Sequence, residues 1–116
     1  MDLRVERRDR GQVAVLALHG DLDANTAPEL RLALMAAIDE HGGKRIVVDL
    51  EGVDFLDSAG LSVLVGGLER AHANDRKLVL VATGRSVLRV LELTRLTRVF
   101  EIHASLAAAL AGAGAS

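Results

Sequence analysis

Hydrophobic positions along the chain fall into short runs that alternate between strand-like and helix-like spacing. Residues 3–8 alternate weakly between apolar and charged side chains, and residues 12–19 form a more continuous apolar run after a break at Arg10-Gly11. This pattern predicts a short strand, a tight turn and a second, more deeply buried strand. The runs at 45–50 and 77–81 predict two further buried strands, and 98–102 predicts a last, alternating one.

Between these runs, apolar residues recur at helical spacing. In the first such segment Leu30, Leu34 and Ile38 lie on one face, and Gly42-Gly43 is expected to end the helix. Each helix is preceded by a polar loop or begins at a residue suited to the first turn. The expected starting residues are Thr26 after the polar loop 20–25, Ser58, Ser86 and Ser105. Gly66-Gly67, inside the second helix, predicts a close approach to another element or a local kink.

The order of elements defines the fold class. An initial hairpin followed by alternating strands and helices predicts an α/β domain with a mixed, mostly parallel sheet and about four helices. At 116 residues the chain is long enough for one domain, 1–116. We expect an ordered core over about residues 3–110 and a flexible Ala/Gly tail at 111–116.

Composition excludes several classes of function. Half of the residues are hydrophobic but only two are aromatic, Phe55 and Phe100, so the core must be aliphatic. The net charge of −2, with both signs mixed along the chain, predicts no direct nucleic-acid binding. The chain has no cysteine, a charged N-terminus unlike a signal peptide, and no apolar run near the roughly 20 residues that span a membrane. We therefore expect a cytoplasmic protein without membrane association.

The most informative stretch is 47–61. An apolar run breaks off at Asp49, a short acidic connection follows, and the apolar pair Phe55-Leu56 leads into Asp57-Ser58-Ala59-Gly60. This order puts the Ser58 hydroxyl on the first turn of a helix, beside a carboxylate and followed by small residues. Another protein could reach it there, and the free N–H groups and positive dipole end of the helix would tolerate a phosphate.

Other chemistries find no support in the sequence. A Gly-x-Ser-x-Gly elbow is absent, so Ser58 is not predicted to be a catalytic nucleophile, and no catalytic set converges. The four histidines lack metal-ligand spacing and no phosphate-cradling glycine motif is present, so we predict no metal and no cofactor. Asp49 could mimic the phosphoacceptor of a response-regulator receiver. The acidic pair and the late lysine of that class are missing, which argues against it.

Four stretches in register resemble the STAS domains of bacterial anti-sigma factor antagonists, and the resemblance covers nearly the whole chain. The motif 57–61 is the most specific of them. The stretches are 47–61, 20–30, 77–81 and 87–94. One departure is Arg95, where many relatives have glycine between the threonine and the leucine, and it affects only the local turn.

The resemblance implies a switch. In that family the serine matching Ser58 is phosphorylated by a partner that is both anti-sigma factor and serine kinase. The unphosphorylated form binds that partner and releases the sigma factor, and a serine phosphatase restores it. Asp23 and Asp57 are expected near the acceptor, with Ala59 and Gly60 beside them, and the Asp23 carboxylate could hydrogen-bond the Ser58 hydroxyl or shape the partner contact. The alternative is a STAS scaffold that recruits proteins to a larger signalling assembly.

Overall fold

The structure is a computed structural model that describes residues 2–40 and 45–114. In this part of the chain, strands and helices alternate after an initial hairpin. The strands are β1 (Leu3–Arg7), β2 (Val13–Leu22), β3 (Arg45–Leu56), β4 (Lys77–Val81) and β5 (Glu101–His103). The helices are α1 (Ala27–Asp39), α2 (Ser58–Ala73), α3 (Arg85–Leu93) and α4 (Leu106–Gly114), with a 3₁₀ turn at Leu96–Arg98.

The five strands form one mixed sheet in the order β1-β2-β3-β4-β5. β1 pairs with β2 antiparallel, and every later neighbour is parallel. This confirms the predicted fold class. Parallel neighbours need a crossover, so each helix between them returns the chain to the end of the sheet at which the previous strand began. The carboxyl ends of β2 and β3 therefore lie side by side.

Helices cover both faces of the sheet. Alternate strand residues such as Leu16, Val48 and Leu80, which are paired across the sheet, pack under α1, α2 and α3. The opposite set, including Val47 and Val79, packs under Ala109 of α4. The core is aliphatic, as the composition predicts, except for the buried ring of Phe100.

Two strands are longer than the sequence pattern predicts. The polar residues Gly20 and Asp21, predicted to begin a loop, continue β2, because Gly20 pairs with Leu3 on one side and Val53 on the other. The acidic connection after Leu50 is likewise part of β3, which runs on to Leu56. Pairing across the sheet thus keeps polar residues extended. The predicted loop 20–25 is therefore wrong for residues 20–22 and right for residues 23–25, which form a turn.

The last part of the chain also differs from expectation. α3 begins one residue before Ser86, with Gly84 at the N-cap, so Ser86 is not the capping residue. The predicted strand 98–102 is instead a 3₁₀ turn followed by β5 at 101–103, because Phe100 turns into the core. The predicted stop at Gly42-Gly43 lies outside the described residues, and α4 continues to Gly114.

Candidate functional site

The first turn of α2 is organised by Asp57. Its backbone is extended, and its Oδ1 accepts hydrogen bonds from the backbone N–H groups of Ala59 at 2.9 Å and Gly60 at 3.1 Å. Asp57 is therefore the N-cap, and Ser58 is the first residue of the helix. The sequence places Ser58 correctly on the first turn, but the capping bonds come from the residue before it.

The Ser58 hydroxyl is exposed and has no hydrogen bond to any atom of residues 2–40 or 45–114. Ser62, one helical turn further on, is also exposed, but its hydroxyl donates to the Ser58 carbonyl at 3.0 Å. The two serines of this helix therefore differ: Ser58 offers a free nucleophilic oxygen at the helix start, while Ser62 is engaged with the backbone.

Gly60 lets the helix start lie directly against the end of β2. A Cβ at this position would lie 2.7 Å from Leu22 Cγ, 2.9 Å from the Leu22 carbonyl oxygen and 2.9 Å from Leu56 Cδ1. Asp57 N–H also donates to that Leu22 carbonyl at 3.2 Å. Any side chain at Gly60 would push the turn that carries Ser58 away from the sheet. Gly60 itself is buried, and Ala59 is half-buried.

Asp23 begins the neighbouring loop, directly after β2. Its Oδ1 accepts from the N–H groups of Asn25 at 2.9 Å and Thr26 at 3.1 Å. Thr26 occupies the N-cap position of α1, as predicted, but its hydroxyl makes no capping bond. That hydroxyl is buried, accepts from Asp23 N–H at 2.9 Å and donates to the Asp21 carbonyl at 2.8 Å. Asp23 and Thr26 together fold the loop that leads into α1.

The two acids are neighbours at one edge of the sheet. Leu22 pairs with Leu56, so Asp23 and Asp57 follow adjacent positions of parallel strands, whose axes are about 4.8 Å apart. In the described residues the Asp23 carboxylate hydrogen-bonds within its own loop, and no bond to the Ser58 hydroxyl is formed. Asp23 can therefore contribute charge and shape to this edge.

A feature that the sequence reasoning missed is a bulge in β3. Gly20 pairs with Val53 but Asp21 pairs with Phe55, so Asp54 is an extra residue on β3. Such a bulge changes the direction in which the following side chains point. Phe55 is 51% exposed, whereas Leu56 is buried. The two apolar side chains therefore have different surroundings, and the ring of Phe55 lies on the surface two residues before Asp57. The apolar pair in the sequence does not reveal this division.

Asp49, the residue considered as a receiver-type acceptor, has a local structural role. Its Oδ1 accepts from the Glu51 N–H at 3.0 Å, next to a second irregularity in β3, and the side chain is half-buried. No group of three potential metal ligands is found in the described residues, and none of their helices is long and apolar enough to cross a membrane.

The matching family model and the similar proteins described below indicate the same family. The STAS domain family matches residues 4–109. The anti-sigma-B factor antagonist of Staphylococcus aureus is 29% identical over 103 residues, covering 89% of this chain and 94% of that protein. The crystal structure of an anti-sigma factor antagonist from Mycobacterium paratuberculosis is 30% identical with a TM-score of 0.87, covering 95% of this chain and 92% of that one.

A third similar structure is that of the Bacillus cell fate determinant SpoIIAA in its phosphorylated form. It is 19% identical, covers 95% of this chain and 99% of that one, and has a TM-score of 0.74. At this identity the likeness concerns the fold alone. The anti-sigma factor antagonists that this chain resembles are non-enzymatic regulators. The chain belongs to the STAS domain family, and its homologues over most of its length are anti-sigma factor antagonists.

Proposed function

We propose that this protein is an anti-sigma factor antagonist whose binding is controlled by phosphorylation of Ser58. The observation that carries the proposal is the exposed Ser58 hydroxyl, which has no hydrogen bond in the described part of the chain, on the first turn of α2. The similar anti-sigma factor antagonists of Staphylococcus aureus and Mycobacterium paratuberculosis support the antagonist role.

In this proposal the unphosphorylated protein binds an anti-sigma factor that also has serine kinase activity, and the bound sigma factor is released. The contact surface comprises Ser58, Asp57 and Asp23, with Ala59 and Gly60 shaping the turn. A serine phosphatase returns the protein to its binding form. The antagonist, the anti-sigma factor and the phosphatase act in the cytoplasm, and the antagonist itself needs no cofactor.

Charge explains how a phosphate would end binding. A phosphoserine carries about −1.5 to −2 charges, and the new group would lie beside Asp57 and close to Asp23. In solution the positive end of the α2 dipole favours a phosphate at the helix start. In a contact that excludes water, the same charge adds repulsion and a desolvation cost. About 3 kcal/mol of unfavourable free energy changes affinity more than a hundredfold.

The direct test incubates the purified protein with ATP and the anti-sigma factor of the host that carries a kinase domain. One phosphate should appear on Ser58, and Ser62→Ala should be phosphorylated as the wild type is, because the Ser62 hydroxyl bonds the Ser58 carbonyl. Phosphopeptide mapping decides the site. Modification at Ser62, Ser86 or a threonine would contradict the assignment.

Two variants of Ser58 test the switch. Ser58→Ala should bind with wild-type affinity and resist phosphorylation, with a change in stability within about 0.5 kcal/mol because Asp57 supplies the capping bonds. Ser58→Asp should bind at least about tenfold more weakly, as a partial mimic of the phosphate charge. Calorimetric titration against the same partner measures both. Equal affinities would contradict a charge-operated switch, and elution of the native protein in a very large complex would favour the scaffold role instead.

A further inference from the structure

Gly66 and Gly67 are adjacent in α2, but their surroundings differ. A Cβ on Gly67 would lie 2.3 Å from Leu34 Cδ2, so this glycine permits the close approach of α1 to α2 that the sequence predicts. A Cβ on Gly66 would meet nothing within 4 Å. Glycine weakens a helix relative to alanine, so Gly66 lowers the stability of the isolated protein. No contact in the described residues explains why glycine occupies this position.

Gly66 lines an open groove between α1 and α2. The groove has a volume of about 210 Å³ and is lined by Arg31, Met35, Val63, Gly66 and Arg70. Its lining therefore consists of two apolar side chains, the backbone of α2 at Gly66, and two arginines. Because a cavity of about 150 Å³ can hold a benzene molecule, this groove has room for one apolar side chain.

Only one of the two arginines that line the groove forms an ion pair in the described residues. Arg70 forms a two-pronged ion pair with Asp39, with Nε–Oδ1 and Nη2–Oδ2 distances of 3.1 and 2.9 Å. Arg31 is exposed, and within the chain segments that the structure describes its guanidinium has no ion pair or hydrogen bond. The groove thus presents one positive charge that is not neutralised, beside an apolar opening.

The groove lies about a quarter turn around α2 from Ser58. At about 100° per residue, Ser62 is turned by about 40° and Gly66 by about 80° from Ser58, so the three residues follow a stripe that leads around the helix surface from its start to the groove. At 1.5 Å per residue, Ser58 and Gly66 are about 12 Å apart along the helix axis. A typical protein interface buries about 800 Å² on each partner, a patch about 30 Å across, so an interface that contains Ser58 is large enough to reach this groove as well.

We propose that the groove between α1 and α2 is a docking site for the anti-sigma factor, and this rests on the proposed function. The docked segment inserts an apolar side chain over Gly66, between Met35 and Val63. A carboxylate next to that side chain pairs with Arg31. Gly66 is glycine because the partner's chain approaches the helix at this position, and a methyl group there would keep it away.

The test uses substitutions that separate folding from binding. Gly66→Ala should raise the midpoint of thermal unfolding by about 4 °C, because alanine favours the helix and nothing blocks its methyl group. It should lower affinity for the anti-sigma factor at least about tenfold, and Gly66→Leu, which fills the groove, more than about a hundredfold. His72→Ala, exposed in the last turn of the same helix, is the matched control and should bind normally.

Charge is tested separately. Arg31→Glu should lower affinity about tenfold, and the loss should shrink at high salt, since the pair is screened there. Arg10→Glu makes the same change in charge in the hairpin turn at the far end of β2, and should bind like the wild type. Wild-type affinity for both Arg31→Glu and Gly66→Leu would overturn the docking site.

The same titrations distinguish this failure from failure of the proposed function. If the wild type binds the anti-sigma factor and loses affinity on Ser58 phosphorylation while the groove variants bind normally, only the docking site is wrong. If the unphosphorylated wild type does not bind, the proposed function is wrong and the docking site with it.

Discussion

Two aspartates perform the same local task at the starts of two helices. Asp57 Oδ1 accepts from the N–H groups of Ala59 and Gly60 ahead of α2, and Asp23 Oδ1 accepts from those of Asn25 and Thr26 ahead of α1. No carbonyl inside a helix accepts from these N–H groups. Each carboxylate therefore removes the free-energy cost of leaving backbone donors without a hydrogen bond. At this scale Asp23 has a structural role besides any contact with a partner.

A pair of substitutions separates the two roles of Asp23. Asp23→Ala removes the acceptor of two N–H groups and should lower the free energy of unfolding by about 1 kcal/mol. Asp23→Asn keeps an acceptor oxygen but removes the charge, so it should be nearly as stable as the wild type. Chemical denaturation measures stability, and titration with the anti-sigma factor measures binding. If Asp23→Asn also binds normally, the Asp23 charge is not part of the partner surface.

The end of α3 depends on a backbone conformation that its residue does not favour. Arg95 follows the helix with φ of +62° and ψ of +19°, the left-handed region that glycine adopts most easily. The resemblance to the STAS family leads us to expect glycine at this position. The helix therefore ends in a left-handed conformation that arginine adopts at some cost in free energy, and the strain is local.

Replacing Arg95 should reveal that strain. Arg95→Gly should raise the free energy of unfolding by up to about 1 kcal/mol, since glycine relieves the left-handed penalty. Arg89→Gly, in the middle of α3, should lower it by about 1 kcal/mol, because there glycine only weakens the helix. Thermal unfolding of the two variants gives the comparison. A loss of stability in both would show that the Arg95 side chain matters more than its backbone.

At the scale of the whole molecule, a network of ion pairs joins three strands at one end of the sheet. At the amino ends of the parallel strands, Glu101 on β5 accepts from Lys77 Nζ at 2.7 Å and His103 Nε2 at 2.6 Å, and lies 3.5 Å from Arg45 Nη1. These bonds, first from Lys77 and then from His103, lower the pKa of the Glu101 carboxyl to about 2. The ion pairs link β3, β4 and β5 at the end opposite Ser58.

This network predicts how stability depends on pH. Because the pKa of Glu101 is lower in the folded state than its ordinary value of 4.5, its contribution is complete above about pH 4.5 and is lost as pH falls towards 2. The carboxylate is 37% exposed, so solvent limits the contribution to about 1 kcal/mol or less. Glu101→Gln should be less stable than the wild type at pH 7 and approach it below pH 4.5. A difference that does not change with pH would contradict this account, and binding at Ser58 should be unaffected in either case.

Local patterns along the chain are sufficient to predict the order of the elements and the place of the candidate site. Strand and helix periods are local properties, so the runs at 45–50 and 77–81 and the stripe after Ser58 predict their elements directly. The motif from Asp57 to Gly60 likewise places Ser58 on the first turn, since capping depends on residues a few positions apart.

Other features depend on a neighbour that is distant in sequence, and they follow from the packing of the elements. Cross-strand pairing extends β2 and β3 through polar residues, and the bulge at Asp54 exposes Phe55. The same dependence separates Gly66 from Gly67, because Leu34 of α1 packs against one and not the other. A local pattern states which side chains favour a strand or a helix, but contacts between elements determine which backbone remains paired and which surface stays open.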